Sequence, residues 1–201
     1  MADFSQKGFL LMDLDDALLV QKSKDGDIKA FEKLFLKYQS KVYNFTLRMV
    51  QNREDAEELT QESFAKAYVS IKGLRENDAF KGWLMRIAVN TIRDKIKSGR
   101  EKNWLCSEIK TGSDEDKRKN EIPDSSWNGE KEVLDKELKQ ITIDALSSLA
   151  GIHREVILLH HFESMRVEEI AKILKLSEGT VKSRLARGRE VLVRKLKPYL
   201  T

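Results

Sequence analysis

The sequence predicts an all-α protein made of two small helical units joined by a flexible linker. Its 201 residues include only two prolines, and proline is the residue that most strongly disrupts a helix. Ala, Leu, Lys, Glu and Arg, which favour helices, occur throughout the chain. Apolar residues also recur at spacings of three and four on both sides of a polar stretch in the middle of the chain.

Residues 1–24 form a predicted N-terminal extension. Its apolar patch lacks a basic n-region and is interrupted by Asp13, Asp15 and Asp16, which makes it a poor secretory signal. No run of about 18 apolar residues occurs, so we expect no membrane insertion. The single cysteine, Cys106, allows no intrachain disulfide or cysteine-based zinc site and fits a reducing compartment. We therefore expect a cytoplasmic protein.

The first helical unit is predicted to cover residues 25–97. Apolar residues from Ile28 to Met49 step by three and four, which indicates one long amphipathic helix that ends at Asn52. A second helix is expected from about Glu54 to the polar stretch at 72–77. A third is expected from about Asp78 to just before Gly99.

A polar linker is predicted at residues 98–130. This segment mixes acidic and basic residues with three glycines and Pro123 and holds few apolar residues. It cannot bury enough apolar surface to fold alone. As a flexible coil it would span roughly 30 Å root-mean-square.

The second helical unit is predicted to cover residues 131–201. Helical periodicity resumes there, and a helix over 152–162 leads into a helix-turn-helix over 167–192, in which Ser177 is the expected N-cap of the second helix. From Ser164 to Thr201 ten basic residues face four acidic ones, whereas the whole chain carries a net charge of only +4. Such a local basic patch is typical of DNA binding.

The second helix of the helix-turn-helix has an apolar inner face and a polar outer face. The residues expected on the outer face are Thr180, Lys182, Ser183, Arg184 and Arg187. A helix of this kind can lie in a DNA major groove, where Arg and Ser side chains donate to base acceptors. The alternative is a solvated charged face with no partner.

Two further clusters in the first unit each have two interpretations. The acidic run over residues 54–62 could enrich the first turn of a helix, where the macrodipole favours anions, or it could dock a basic partner protein. Basic residues accompany Phe80 and Trp83 in the third helix. These two rings could belong to the core, or the helix could hold single-stranded DNA.

Enzyme signatures are weak. The three histidines are His153, His160 and His161, and adjacent helix positions point about 100° apart, so the latter two do not form an i,i+4 metal pair. No Gly-rich phosphate loop, nucleophile elbow or zinc-protease motif occurs. The sequence predicts no catalytic residue, no metal site and no cofactor.

Four segments in order resemble one family, the bacterial RNA polymerase sigma factors of the extracytoplasmic-function (ECF) type. These segments are Gly26-Asp27 with residues 30–34, the acidic run 55–64, the aromatic cluster from Phe80 to Asp94, and Arg154-Glu155-Val156 with residues 168–171 and 179–184. The chain departs from the family at Ala150-Gly151, where a proline is common, and near Ser164 to Arg166. A different turn is therefore expected before the helix-turn-helix.

The resemblance implies roles for residues in three places. Sigma region 2 would dock on the clamp helices of the largest polymerase subunit through Asp55, Glu58, Gln61 and Glu62. It would capture the melted minus-10 strand through Lys72, Arg75, Asn77, Lys81, Arg86 and Asn90. Region 4 would read the minus-35 duplex through Thr180, Lys182, Ser183, Arg184, Ala186 and Arg187. The resemblance also implies an anti-sigma partner.

The function expected from this resemblance is promoter-specific transcription initiation with core RNA polymerase, including assistance in strand opening. One alternative is a helix-turn-helix regulator that acts without entering the polymerase. It shares the C-terminal half but leaves the acidic run and the aromatic cluster unexplained. A weaker alternative is a decoy or scaffold that uses the sigma fold without promoter activity.

Overall fold

The computed structural model describes residues 16–76, 79–98 and 129–199, and these ranges contain eight α-helices and no strand. In chain order the helices are α1 (Asp16–Lys24), α2 (Ile28–Val50), α3 (Arg53–Ser70), α4 (Phe80–Ser98), α5 (Gly129–Ser147), α6 (Gly151–Ile157), α7 (Val167–Leu174) and α8 (Glu178–Leu196). A 3₁₀ turn at Ile71–Gly73 follows α3, a π-helical turn at Leu158–Phe162 continues α6, and a second 3₁₀ turn at Lys197–Tyr199 follows α8. The expected all-α fold is confirmed.

Local side-chain capping defines the starts of the long helices in the first unit. Asp27 caps α2, because its carboxylate accepts from the backbone N–H of Lys29 at 2.9 Å and of Ala30 at 3.3 Å. Asn52 caps α3 by accepting from the N–H of Asp55 at 3.0 Å. These bonds satisfy N–H groups that have no partner inside a helix.

Helices α1 to α4 pack around an apolar core in which Leu34, Phe45 and Phe80 are almost completely buried. An N-terminal extension is expected over residues 1–24, but α1 belongs to this bundle. Leu19 and Val20 of α1 are buried, and Asp16 accepts a hydrogen bond from the Tyr38 hydroxyl. The first unit therefore begins by residue 16.

Helices α5 to α8 form the second unit, in which α6 and α8 pack closely. Gly188 makes this approach possible: a Cβ atom at this position would lie 2.9 Å from Cγ1 of Ile157. Beyond Ile157 the helix expected over 152–162 changes to the π-helical turn. Ser164 then adopts a φ of 55°, in the left-handed region that favours glycine.

The helix-turn-helix forms where the sequence predicted it. Lys175 ends α7 in a left-handed conformation, and its N–H bonds the carbonyl of Ala171. Ser177 caps α8, as predicted, by accepting from the N–H of Thr180 at 3.1 Å. Val181 and Leu185 are buried between the two helices and the rest of the unit.

The two units pack against each other, which the sequence did not predict. Polar and ionic contacts cross between them: Arg93 with Glu155, Lys81 with Glu163, and Arg154 with the carbonyl of Met49. The guanidinium of Arg48 also lies 4.5 Å from the centre of the Phe162 ring, a cation–π geometry. Buried residues of both units form one continuous apolar cluster.

None of the described helices combines the length and apolar character required to cross a bilayer.

Candidate nucleic-acid and protein interfaces

The acidic run lies on the outward face of α3. Glu58, Gln61 and Glu62 are exposed and Asp55 is half-buried, while Leu59 and Phe64 on the opposite face point into the core. The four polar residues thus share one surface, which we call the α3 acidic face.

The helix macrodipole accounts for only part of this acidic run. Because α3 starts at Arg53, only Glu54 and Asp55 lie in its first turn, where the partial positive charge acts. Glu58 and Glu62 lie one and two turns further on. Their charge therefore needs another explanation, and a basic partner is consistent with it.

Lysines within the first unit neutralise part of the α3 acidic face. The Lys95 ammonium lies 2.8 Å from a Glu58 oxygen and 3.8 Å from an Asp55 oxygen, and Lys66 pairs with Glu62 at 2.8 Å. The hydrogen bond to Glu58 raises the pKa of Lys95. All of these groups are substantially exposed, so the pairs are weak and a basic partner could replace the lysines.

A groove beside the α3 acidic face adds four residues of α2, and Thr60 of α3, that the sequence did not assign to this site. Its lining comprises Phe35, Gln39, Ser40 and Tyr43 of α2 and Glu57, Thr60 and Gln61 of α3. Phe35, Gln39 and Tyr43 follow each other at helical spacing, so they lie on one stripe of α2. This spacing was visible in the sequence, but the pairing of α2 with α3 was not.

Two regions carry the residues expected at the minus-10 strand. Lys72 and Arg75 are exposed on either side of the buried Leu74, which anchors the loop to the core. Arg86 and Asn90 are exposed one helical turn apart on α4. Asn77 lies outside the described residues.

Lys81 is the exception among these residues, because it contacts the second unit. Its ammonium lies 3.4 Å from a Glu163 carboxylate oxygen and also donates to the Glu163 backbone carbonyl. Phe80 beside it is fully buried, and Trp83 is half-buried with its ring centre 5.9 Å from that of Phe80. Phe80 therefore belongs to the core.

Helix α8 presents an exposed basic face. Lys182, Ser183, Ala186 and Arg187 are exposed, and the Lys182 ammonium lies 3.8 Å from a carboxylate oxygen of Glu178. These four residues could approach base edges and phosphates of a duplex. Alanine could contribute only an apolar contact, for example to a thymine methyl.

Thr180 and Arg184 lie at the margins of this face. Thr180 is half-buried, and its hydroxyl lies 2.8 Å from that of Ser177 in the turn. Arg184 is half-buried. Burial lowers the pKa of His153, and the charges of Arg187 and Arg184 add to this effect, whereas Arg184 only partly opposes the rise that burial causes in the pKa of Glu155. Outward exposure, which the sequence pattern predicted for both, is therefore only partial.

Two adjacent charged residues of α6 are buried at the boundary between the units. Arg154 donates to four backbone carbonyls, and burial lowers its pKa to about 10. Glu155 is fully buried, and its burial raises its pKa against the opposing effect of Arg93. The sequence analysis quoted this dipeptide only as part of a resemblance. The signal available in the sequence was the presence of two charged residues within an otherwise apolar helix.

His160 and His161 have partners within the protein. Nδ1 of His160 lies 2.9 Å from the Met165 carbonyl, and Nε2 of His161 lies 3.3 Å from Nε of Arg189. Over the described residues, no cluster of three or more His, Cys, Asp or Glu side chains could hold a metal ion.

Comparison with protein families gives two matches. The model of sigma-70 region 2 matches residues 34–102, and the model of sigma-70 region 4 matches residues 139–192. The first covers the α3 acidic face and α4, and the second covers the helix-turn-helix.

Curated relatives extend the similarity to nearly the whole chain. The ECF RNA polymerase sigma-E factor of Haemophilus influenzae is 35% identical over 195 residues, which cover 93% of this chain and 98% of the relative. The sigma-E factor of Salmonella typhimurium LT2 is 36% identical, with 93% and 97% covered. The sigma-E factor of Escherichia coli K12 is 35% identical, also with 93% and 97% covered.

Solved structures share the fold. CnrH in complex with the cytosolic domain of CnrY gives a TM-score of 0.66 at 22% identity and covers 91% of this chain and 97% of that one. The sigma factor RpoE in complex with the anti-sigma factor NepR from Bartonella quintana gives 0.65 at 22% identity, with 85% and 98% covered.

Proposed function

The chain belongs to the ECF sigma factors, which direct promoter-specific transcription by bacterial RNA polymerase. We propose that it has three binding surfaces, each with a separate role in this function. One docks on the polymerase, one captures a melted strand and one reads duplex DNA. The observation that carries this proposal is the presence, in one chain, of an exposed acidic face on α3 and an exposed basic face on α8.

The α3 acidic face docks on core RNA polymerase, at the clamp helices of its largest subunit. Asp55, Glu58, Gln61 and Glu62 supply the carboxylates and the amide that meet a basic partner. The pairing of Asp55 and Glu58 with Lys95 neutralises part of this face before docking. The lysine is replaced by the partner's cations on binding. Opposite charges of this kind mainly set the association rate and the specificity.

The loop after α3 and the outer face of α4 capture the non-template strand of the minus-10 element once it melts. Lys72, Arg75 and Asn77 contribute from the segment after α3, and Arg86 and Asn90 contribute from the helix. Lys81 contributes only after its ammonium leaves Glu163. Extracting a base from the stack costs a few kcal/mol. Cationic contacts with the backbone and a pocket for the base offset this cost.

Helix α8 reads the minus-35 element in the major groove. Lys182, Ser183, Ala186 and Arg187 face base edges, while Thr180 and Arg184 act from the margins. Each good bidentate contact discriminates between bases by about 1–3 kcal/mol. The two DNA sites lie on one chain, so binding at one raises the effective concentration of the other.

In this proposal the protein is not an enzyme, because the polymerase carries out the chemistry. The protein acts in the cytoplasm, together with the polymerase. It needs no cofactor. An anti-sigma factor is a further expected partner. In the two solved structures described above, CnrH is bound to the cytosolic domain of CnrY, and the sigma factor RpoE is bound to the anti-sigma factor NepR.

The docking assignment is tested by charge reversal. The variant Asp55→Lys with Glu58→Lys should fail to co-elute with purified core polymerase on gel filtration. The control Glu137→Lys with Glu190→Lys carries the same change in charge on exposed positions of α5 and α8 and should co-elute normally. Co-elution of the Asp55→Lys, Glu58→Lys variant would contradict the docking assignment, whereas failure of the unsubstituted protein to co-elute would favour a regulator that binds DNA without entering the polymerase.

A further inference from the structure

A cavity of about 100 Å³ lies where the end of α2 meets α5, at the boundary between the two units. Asn44 of α2 belongs to its lining and is exposed, so the cavity opens to solvent on this side. The docking and DNA-reading surfaces proposed above leave this cavity without a role.

Most of the cavity wall is apolar. Leu47 of α2 and Ile143 and Leu146 of α5 supply this part of the lining. A dry cavity of about 150 Å³ lined by residues of this kind takes up benzene. The cavity beside α5 is somewhat smaller, so it fits an apolar group of about four or five carbon atoms.

Two arginines give the same cavity a positive charge. Arg48 and Arg53 belong to its lining, and none of the described lining residues is acidic. Neither guanidinium forms an ion pair with a carboxylate in the described ranges. Arg48 instead lies against the Phe162 ring. Burial lowers the pKa of Arg48, and the charge of Glu163 opposes this effect only in part.

A third arginine lies directly behind the cavity wall. Arg154 donates to the backbone carbonyls of Leu146 and Met49, each at 2.9 Å. These acceptors are neutral, so the charge of Arg154 adds to that of the two lining arginines. Charges interact more strongly in a buried place than in water, and the cavity is therefore suited to an anion.

Arg53 has an unsatisfied donor beside this cavity. Its Nη2 atom is buried and has no hydrogen-bond partner among the described residues. Arg53 is also the first residue of α3, where the partial positive charge of the helix disfavours a cation. A buried donor without an acceptor destabilises the fold. An anion that accepts from Arg53 would relieve both effects.

We propose that this cavity binds a small organic acid, whose apolar chain packs on Leu47, Ile143 and Leu146 and whose carboxylate accepts from Arg53. Arg48 supplies further positive charge. An apolar wall with few polar groups is typical of small-molecule sites. Inorganic phosphate would leave this wall without a contact, and an uncharged hydrocarbon would leave the arginines unpaired. The bound acid contacts helices of both units, so it stabilises the packed chain by mass action.

The first test titrates the full chain with hexanoate and follows the methyl groups of leucine and isoleucine by NMR. The signals of Leu47, Ile143 and Leu146 should shift, whereas that of Leu84, buried in the core of the first unit, should not. Hexan-1-ol, which lacks the charge, and acetate, which lacks the chain, should each bind about tenfold or more weakly. The absence of these shifts, or equal affinity for hexan-1-ol or acetate, would overturn the proposal.

The second test compares variants of the lining. Arg53→Met should weaken hexanoate binding by about tenfold or more, the ratio expected for one hydrogen bond to a charged group. Arg194→Met, an equal loss of charge on the exposed surface of α8, should bind as the parent does. Ile143→Phe should also weaken binding, because the larger ring fills the cavity. An affinity within about twofold of the parent for Arg53→Met or Ile143→Phe would overturn the proposal.

A structural role of Arg53 is distinguished by stability without ligand. Arg53→Met removes an unsatisfied donor, so its urea midpoint should equal or exceed that of the parent. A clearly lower midpoint would show that the guanidinium has a partner within the protein and would contradict the proposal. If Arg53→Met does not fold, Arg53→Gln is measured in the same way.

Neither DNA nor polymerase enters these tests, so they remain valid if the proposed docking and DNA-reading surfaces are wrong. Conversely, loss of polymerase binding by the α3 variants has no bearing on hexanoate binding. The two proposals can therefore fail independently.

Discussion

Replacement of Arg154 by methionine should destabilise the protein more than the loss of any exposed arginine. Arg154 is 9% exposed. Its guanidinium donates to four backbone carbonyls: those of Leu146 at 2.9 Å, Ser147 at 2.6 Å and Leu149 at 3.0 Å around the end of α5, and that of Met49 at 2.9 Å at the end of α2. Methionine has similar length but donates no hydrogen bond. The variant Arg154→Met therefore leaves these acceptors without their partner.

The size of the effect follows from two opposing contributions. A hydrogen bond from a charged donor contributes about 1.5 kcal/mol or more, so four such bonds are worth about 6 kcal/mol. Burial lowers the pKa of Arg154 to about 10, a desolvation cost of about 3 kcal/mol that disappears with the charge. The expected net loss is about 3 kcal/mol in the free energy of unfolding.

Urea unfolding followed by circular dichroism measures this loss. Arg194→Met on the exposed surface of α8 is the matched control and should change the free energy by less than about 0.5 kcal/mol. Arg154→Lys retains the charge but cannot reach all four carbonyls, so its loss should be intermediate. A loss below about 1 kcal/mol for Arg154→Met would refute the argument that this guanidinium holds the ends of two helices together.

Three further predictions concern stability. Ser164→Gly should stabilise the exposed turn before the helix-turn-helix by about 1 kcal/mol. The serine adopts a φ of 55°, and this backbone conformation costs a non-glycine residue about 1 kcal/mol. An unchanged urea midpoint would contradict this prediction. Gly188→Leu should destabilise by about 1–3 kcal/mol through overpacking against Ile157, and a calorimetric midpoint at or above that of the parent would count against it. Burial lowers the pKa of His153, so the unfolded chain binds more protons below about pH 6.5. Stability should fall as the pH drops from 7 to 5.5, and less steeply in His153→Asn; equal slopes in the two proteins would show that this histidine is not responsible.

The local features of the fold were largely predictable because they depend on short segments. The amphipathic spacing from Ile28 to Met49 identified α2, and Ser177 was recognised as the cap that begins α8. Asn52 was expected to end the first long helix, and it instead caps the next one after Gln51 turns the chain with a φ of 59°. Predictions of this kind depend only on residues that lie within one helical turn of each other.

The contacts that bring the units together were not predictable, because they join distant residues. Arg93 and Glu155 are 62 positions apart, and Arg154 lies 105 positions from Met49. Nothing in the neighbouring sequence identifies either partner. The short helix α1 was missed for another reason, since its buried residues are few and Leu18 beside them is exposed, which obscures the helical pattern.

The candidate surfaces were predicted with similar limits. Periodicity correctly placed Lys182, Ser183 and Arg187 on the outside of α8. It could not show that Arg184 is half-buried or that Lys81 meets Glu163, because a helical pattern does not reveal which other helix covers a given face. The assignment of single residues to polymerase or DNA therefore stays a prediction.

In vitro transcription tests the central claim most directly. Purified core polymerase is incubated with fragmented genomic DNA from the source organism, alone, with this protein, or with its Asp55→Lys, Glu58→Lys variant. The account predicts new transcription start sites that share two spaced upstream motifs, present with the protein and absent with the variant. The absence of new start sites with the intact protein, together with no co-elution with core polymerase, would contradict it.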